Sequence, residues 1–367
     1  MKRALSALLL VLVVLSGCGG DDDDGGGDPG PTRVPQGTTQ SFFGIVAEDV
    51  LGGDAAYRRR VLAMQRAAGV RLIRQAFHWD RIERAPGEYD FAEYDAYVTD
   101  VSRAGMELLP ILFTPPEFRA RPGSERGTYP PDQPEDMGTF AEQLVRRYGP
   151  GGEFWSENPD VPPHPIRSWQ VWNEPNLPTY WPDGPDPEEY TELLDAVADG
   201  VKRADRRAVV VSAGLSESRH GIPFEDFVEG MFEAGAGDSL DVFALHAFAR
   251  DSPGALGAAQ TTRDLLGELG SNAPIWITEI GWASGGPASP FTVGAARQAE
   301  RIRETLSAYW RRRNELGLRG VIYYNWRDAP VYEGGQDFFG LHTGLLDIDG
   351  DPKPALAAYR AVARPSG

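Results

Sequence analysis

The chain has 367 residues and a net charge of −18, and hydrophobic residues make up 41% of it. That length carries one large core or two modest ones, and that apolar share requires most of the chain to be globular. An acidic excess of this size argues against nucleic acid or an anionic membrane surface as a partner, since either would need a basic patch, and favours a neutral ligand.

Lys2 and Arg3 give the chain a basic start. An apolar run from Ala4 to Leu15 follows, too short to span a bilayer comfortably and typical of a signal-peptide core. Leu15-Ser16-Gly17-Cys18 then looks like a bacterial lipoprotein cleavage box. That resemblance implies removal of residues 1–17 and lipidation of Cys18, placing the protein outside the cytoplasm with membrane contact through the lipid alone. An ordinary secretory signal with an incidental cysteine is the alternative. Cys18 is the only cysteine, so no thiol is left for a disulfide. Residues 18–40, rich in Gly, Asp and Pro, read as a flexible tether. The aspartate run lacks the spaced ligands of a calcium loop.

From 41 to 367 short β-rich apolar segments alternate with longer amphipathic ones. Strands are predicted at Phe42–Val46, Val70–Ala76, Glu107–Phe113, Ile166–Trp172, Ala208–Ala213, Leu240–His246, Pro274–Ile280 and Gly320–Trp326. Helices are predicted at Tyr57–Ala68, Phe91–Ala104, Met137–Tyr148, Pro187–Arg206, Phe224–Ala234, Ala258–Leu269, Ala295–Leu316 and Pro354–Ala363. This alternation predicts an α/β fold, a single (β/α)8 barrel of the TIM type. An open doubly wound sheet would carry a Gly-rich phosphate loop after the first strand, and "FFGIVAEDVLGGDAA" holds none.

In such a barrel the chemistry sits just past the strands' C-terminal ends. The fourth strand ends in "SWQVWNEPN", with Asn173 and Glu174 past an apolar stretch, and the seventh in "PIWITEIGW", with Glu279. A carboxylate at the mouth of a buried strand is expensive unless it is used or paired. Two such carboxylates facing each other across a pocket suit glycoside hydrolysis, one protonating the leaving oxygen and the other attacking or activating water. Retention would place them ~5 Å apart, and the acid should have a raised pKa. No His/Cys/Asp cluster has zinc-ligand spacing, so neither a catalytic metal nor another cofactor is expected.

At "WNEPN" and "ITEIGW" the sequence resembles glycoside hydrolase clan A, the retaining (β/α)8 glycosidases, over most of residues 41–365. It is similar to the β-xylosidase-like family 39 and the cellulase-like family 5. The resemblance implies hydrolysis of O-glycosyl bonds in a carbohydrate, with Glu174 as general acid/base and Glu279 as nucleophile. It further implies that Asn173 binds the sugar 2-hydroxyl and Arg74 supports the nucleophile. His246, Trp79 and Trp326 match cleft residues, Trp326 as the sugar platform. Two positions depart from the pattern. The sixth strand reads His246-Ala247-Phe248 where many members have His-x-Tyr, and "ILFTPPEF" lacks the histidine many carry after the third strand. A transglycosylase working on surface polysaccharide would use the same residues, and a barrel that had lost activity would bind carbohydrate without turning it over. Loops 115–136, 149–165, 178–187 and 327–340 set the sugar and linkage. No segment specifies an oligomeric state.

Overall fold

A computed structural model describes residues 42–121, 129–217, 220–332 and 335–363. The signal-like segment, Cys18 and the tether lie outside them. Eight positions around a ring are filled by β1 (Phe43–Val46), β2 (Leu72–His78), β3 (Glu107–Phe113), β4 (Ser168–Val171), β5 (two pieces, Val209–Val211 and Leu215–Ser216), β6 (Phe243–His246), β7 (Ile275–Ile280) and β8 (Leu318–Tyr323). Neighbours pair in parallel, β1 with both β2 and β8.

The ring closes at β5. Its first piece pairs with β4 and its second with β6. Between the pieces the Ser212 hydroxyl, rather than a main-chain carbonyl, accepts the Ala244 N–H at 2.9 Å, which interrupts the ladder. Lone bridges Asn173–Gly214 and Val211–Val242 complete the circle. The molecule is therefore a closed (β/α)8 barrel, as the alternation predicts.

One long helix follows each strand: 55–68, 92–103, 134–148, 187–204, 224–233, 252–268, 295–312 and 354–363. Aspartates cap three of them, Asp54, Asp186 and Asp251 each accepting main-chain N–H groups of the first turn. Helices 134–148 and 187–204 approach until a Cβ on Gly200 would lie 1.9 Å from the Gly138 carbonyl, so only glycine fits there. The predicted strands match to within a few residues, except that β8 ends at Tyr323 and leaves Trp326 in the following loop. The hairpin of Glu83–Ala85 with Glu88–Tyr89 is a feature the sequence pattern does not signal.

Inside the barrel the side chains are layered. Val46, Leu72, Leu109, Val211, Val242, Ala244, Trp276 and Ile322 form a buried apolar floor. Each large member contributes about 1.5–3 kcal/mol by leaving water. Above that floor the inward residues turn polar: Arg74, Gln170, His246 and Thr278. The polar layer is the base of the site.

Candidate active site

Arg74 stands two residues after Leu72 on β2 and so faces the same way, into the barrel. Its guanidinium is 1% exposed and meets three acceptors. Nε donates to Gln170 Oε1 at 2.7 Å, Nη1 to Glu279 Oε1 at 2.5 Å and Nη2 to Asn173 Oδ1 at 2.9 Å. A buried cation is tolerated only when so satisfied. Gln170 is anchored in turn by its amide donating to the Ser212 carbonyl at 3.1 Å.

At the end of β4 the backbone takes two left-handed steps, Trp172 at φ 69° and Glu174 at φ 42°. Such residues cost on the order of 1–3 kcal/mol each and cluster where function requires them. Here they aim Asn173 at Arg74 and Glu174 at β6. The Glu174 N–H donates to the Gly214 carbonyl at 3.1 Å, and the Trp172 indole N–H to the Tyr180 carbonyl at 3.0 Å. Glu174 Oε1 accepts from the Ser216 hydroxyl at 2.7 Å and lies 2.9 Å from His246 Nδ1, which is the donor toward a carboxylate.

Glu279 enters from β7 through a register shift. Ile277 pairs with Leu245, but Glu279 pairs with the very next residue, His246. The extra residue, Thr278, re-aims the glutamate, as bulges beside active sites do. Glu279 Oε1 then lies 3.5 Å from His246 Nε2. One imidazole thus stands between the two carboxylates, whose side chains are 14% and 12% exposed. Gly214 makes room for it: a Cβ there would lie 2.0 Å from His246 Nε2.

Electrostatics correct one expectation. Burial alone would raise the Glu174 carboxyl, but the His246 hydrogen bond and charge, the Ser216 hydroxyl and Arg74 outweigh it and hold the group below the usual carboxylate range. Without a ligand the site thus keeps this carboxyl ionised, not protonated in advance. Burial, then the fields of Glu174 and Glu279, raise the phenol of Tyr180. Burial, then Glu279, raise that of Tyr324.

The structure gathers Arg74, Asn173, Glu174, His246 and Glu279 into one cluster. It does not bring Trp79 or Trp326 to the cleft surface. Trp79 is buried, stacks on Phe140 at 5.1 Å and donates its N–H to Glu83, so it has no face left for a sugar. Trp326, 1% exposed, is likewise enclosed. Half-buried Tyr324, two residues earlier, stands in the field of Glu279 and packs against Phe248 at 6.2 Å. It is an aromatic residue available at the mouth of β8, and it supplies a phenol near Glu279 that His246-Ala247-Phe248 lacks. Gln170, Ser216 and Gly214 also belong to the site. Gln170 had a visible signal, a polar side chain inside an apolar strand.

No family model and no curated protein matches this chain. Solved structures of similar fold do. A family 39 glycoside hydrolase from Bacteroides cellulosilyticus aligns with a TM-score of 0.65 at 21% identity, over 90% of this chain and 65% of that one. A glucosidase from Croceicoccus marinus gives 0.66 at 16%, over 88% and 65%. The GH53 catalytic domain from Ignisphaera aggregans gives 0.60 at 18%, over 90% and 98%. The chain thus spans 65% of the length of the first two. At these identities the likeness establishes the fold, and the chain shares its (β/α)8 barrel with glycoside hydrolases.

Proposed function

We propose that the protein is a retaining glycosidase acting on O-glycosidic bonds of an oligo- or polysaccharide. The observation that carries the reading is the pair of rim glutamates on β4 and β7 flanking one imidazole, with Glu279 gripped by Arg74. An imidazole with one nitrogen toward each carboxylate sets the pair at one pocket, as glycoside hydrolysis requires, and retention is the part of the reading that the sequence resemblance supplies.

A Glu279 oxygen attacks the anomeric carbon from below as the bond to the leaving oxygen breaks. Glu174 delivers a proton to that oxygen, giving a free alcohol and a glycosyl ester on Glu279. Since the resting carboxyl is held ionised, Glu174 must take up that proton before it delivers it, while His246 and Ser216 hold the group in position. Water then attacks the anomeric carbon, passes a proton to Glu174 and releases Glu279. Asn173, fixed by Arg74, holds the sugar, and Tyr324 offers it an aromatic face. Export and anchoring through Cys18 belong to the same proposal and rest on the N-terminal sequence.

An activated 2-deoxy-2-fluoro glycoside tests the mechanism. The expected result is a stoichiometric covalent adduct on Glu279, with no turnover by Glu279→Gln in a folded protein. An adduct elsewhere, or an active Glu279→Gln variant, overturns the assignment.

A further inference from the structure

A third carboxylate stands in this cleft. Glu48 lies two residues past β1 and opens the short helix Glu48–Leu51 at the same rim as Glu174 and Glu279. Its side chain reaches solvent, while the other two are mostly covered. Among the described residues no hydrogen bond or ion pair engages its carboxyl. The groups whose fields reach it are Arg74 on β2, Glu279 on β7, neighbouring Asp49, Tyr97 in helix 92–103, and Tyr324 and Tyr332 in the loop after β8. Asp49 already has Tyr57 and Arg327 as partners, and the guanidinium of Arg74 is committed to three other acceptors. Glu48 is the acid left without a cation.

The side chain meets solvent at its surface, yet protein atoms surround the carboxyl at longer range. Burial, Glu279 and Asp49, opposed by Arg74, accordingly push the group up to about 7.

We infer that Glu48 selects the sugar: its carboxylate accepts hydrogen bonds from hydroxyls of the ring seated over Glu279 and turns away rings that carry a carboxylate of their own. Adjacent sugar hydroxyls present two donors to its two oxygens and replace the hydration that the cleft has removed. A uronic acid would instead bring a fourth carboxylate beside one saturated guanidinium, and like charges repel. This inference rests on the glycosidase reading.

The test uses matched pairs of nitrophenyl glycosides, each neutral sugar against its uronide, with wild type, Glu48→Gln and Glu48→Ala. Cooperative melting first establishes that the variants fold. Both variants should lower kcat/KM on the best neutral substrate about tenfold or more, mainly through KM, and shrink the neutral-to-uronide preference by a similar factor. Wild-type KM should also rise as pH falls through 7, where Glu48 loses its charge, and this limb should vanish in Glu48→Gln. Unchanged preference in both variants overturns the inference. So does a wild-type preference for uronides, or for an amino sugar over its hydroxyl counterpart. If wild type turns over nothing and Glu279 takes no label, the glycosidase reading has failed and this inference with it. A labelled, active wild type with silent Glu48 variants removes this inference alone.

Discussion

Gly214 and His246 are fitted to each other: a single methyl on the glycine would stand 2.0 Å from the imidazole Nε2. The same added carbon would lie 2.8 Å from the Thr278 hydroxyl, so the ring cannot simply retreat toward β7. Gly214→Ala should therefore displace His246 from between the two glutamates. Turnover should fall about 100-fold or more, the scale of a roughly 1 Å misplacement in a positioned site. Circular dichroism should stay native, and retained turnover would show that the imidazole's position is dispensable.

Arg74 ties β2, β4 and β7 together through Gln170, Asn173 and Glu279. Arg74→Met strands a partly buried carboxylate and two amide oxygens. Breaking such a pair costs about 3–5 kcal/mol, so the urea midpoint should drop with little change in slope. Arg74→Lys should fail too, because an ammonium cannot reproduce the fork. A lysine variant with wild-type stability and kcat would refute this role.

Tyr324 and Trp326 should separate binding from stability. Tyr324→Ala should lower kcat/KM at least about tenfold, a loss of the size that aromatic and hydrogen-bond contacts together provide. Trp326→Ala should cost about 3–5 kcal/mol of stability, as truncation of a large buried aromatic does. Trp326→Phe should melt lower than wild type yet keep KM within about twofold if the indole is core and not platform. The reverse pattern in steady-state kinetics would restore Trp326 to the cleft.

Glu174 makes acid sensitivity a local property. Its carboxyl is held below its ordinary value in the folded state, so it contributes stability above pH 4.5 that is lost as pH falls further. Glu174→Gln removes that contribution. The melting temperature of the variant should trail wild type at pH 6, and the gap should close toward pH 3. A gap independent of pH would mean that the hydrogen bonds from Ser216 and His246 do not favour the charged form.

The sequence made much of this legible because the barrel repeats one physical rule eight times: an apolar segment buried on both faces, then an amphipathic helix. Glu174 and Glu279 stood out because charge at the end of a buried strand demands a use. What the pattern could not convey lies where periodicity breaks. Glu279 shares the inward side with residues of the wrong parity only because of the shift at Thr278. The break in β5 depends on a serine hydroxyl taking a main-chain role. Trp79 and Trp326 look like cleft residues in sequence, but a tryptophan beside a cleft and one behind its wall read alike. Glu48 was hidden for the opposite reason, since an acid opening a helix after a strand is ordinary until Arg74 and Glu279 appear beside it.

The seam in β5 carries a further meaning. The contacts that join the barrel's ends, the Asn173–Gly214 bridge and the Glu174 N–H on the Gly214 carbonyl, also hold Glu174 in place. A transient parting of that seam would displace Glu174 while the other strands stayed paired. Warming should then silence the protein before it melts it, and heat resistance of its activity would be gained by stitching this one edge rather than by reinforcing the core.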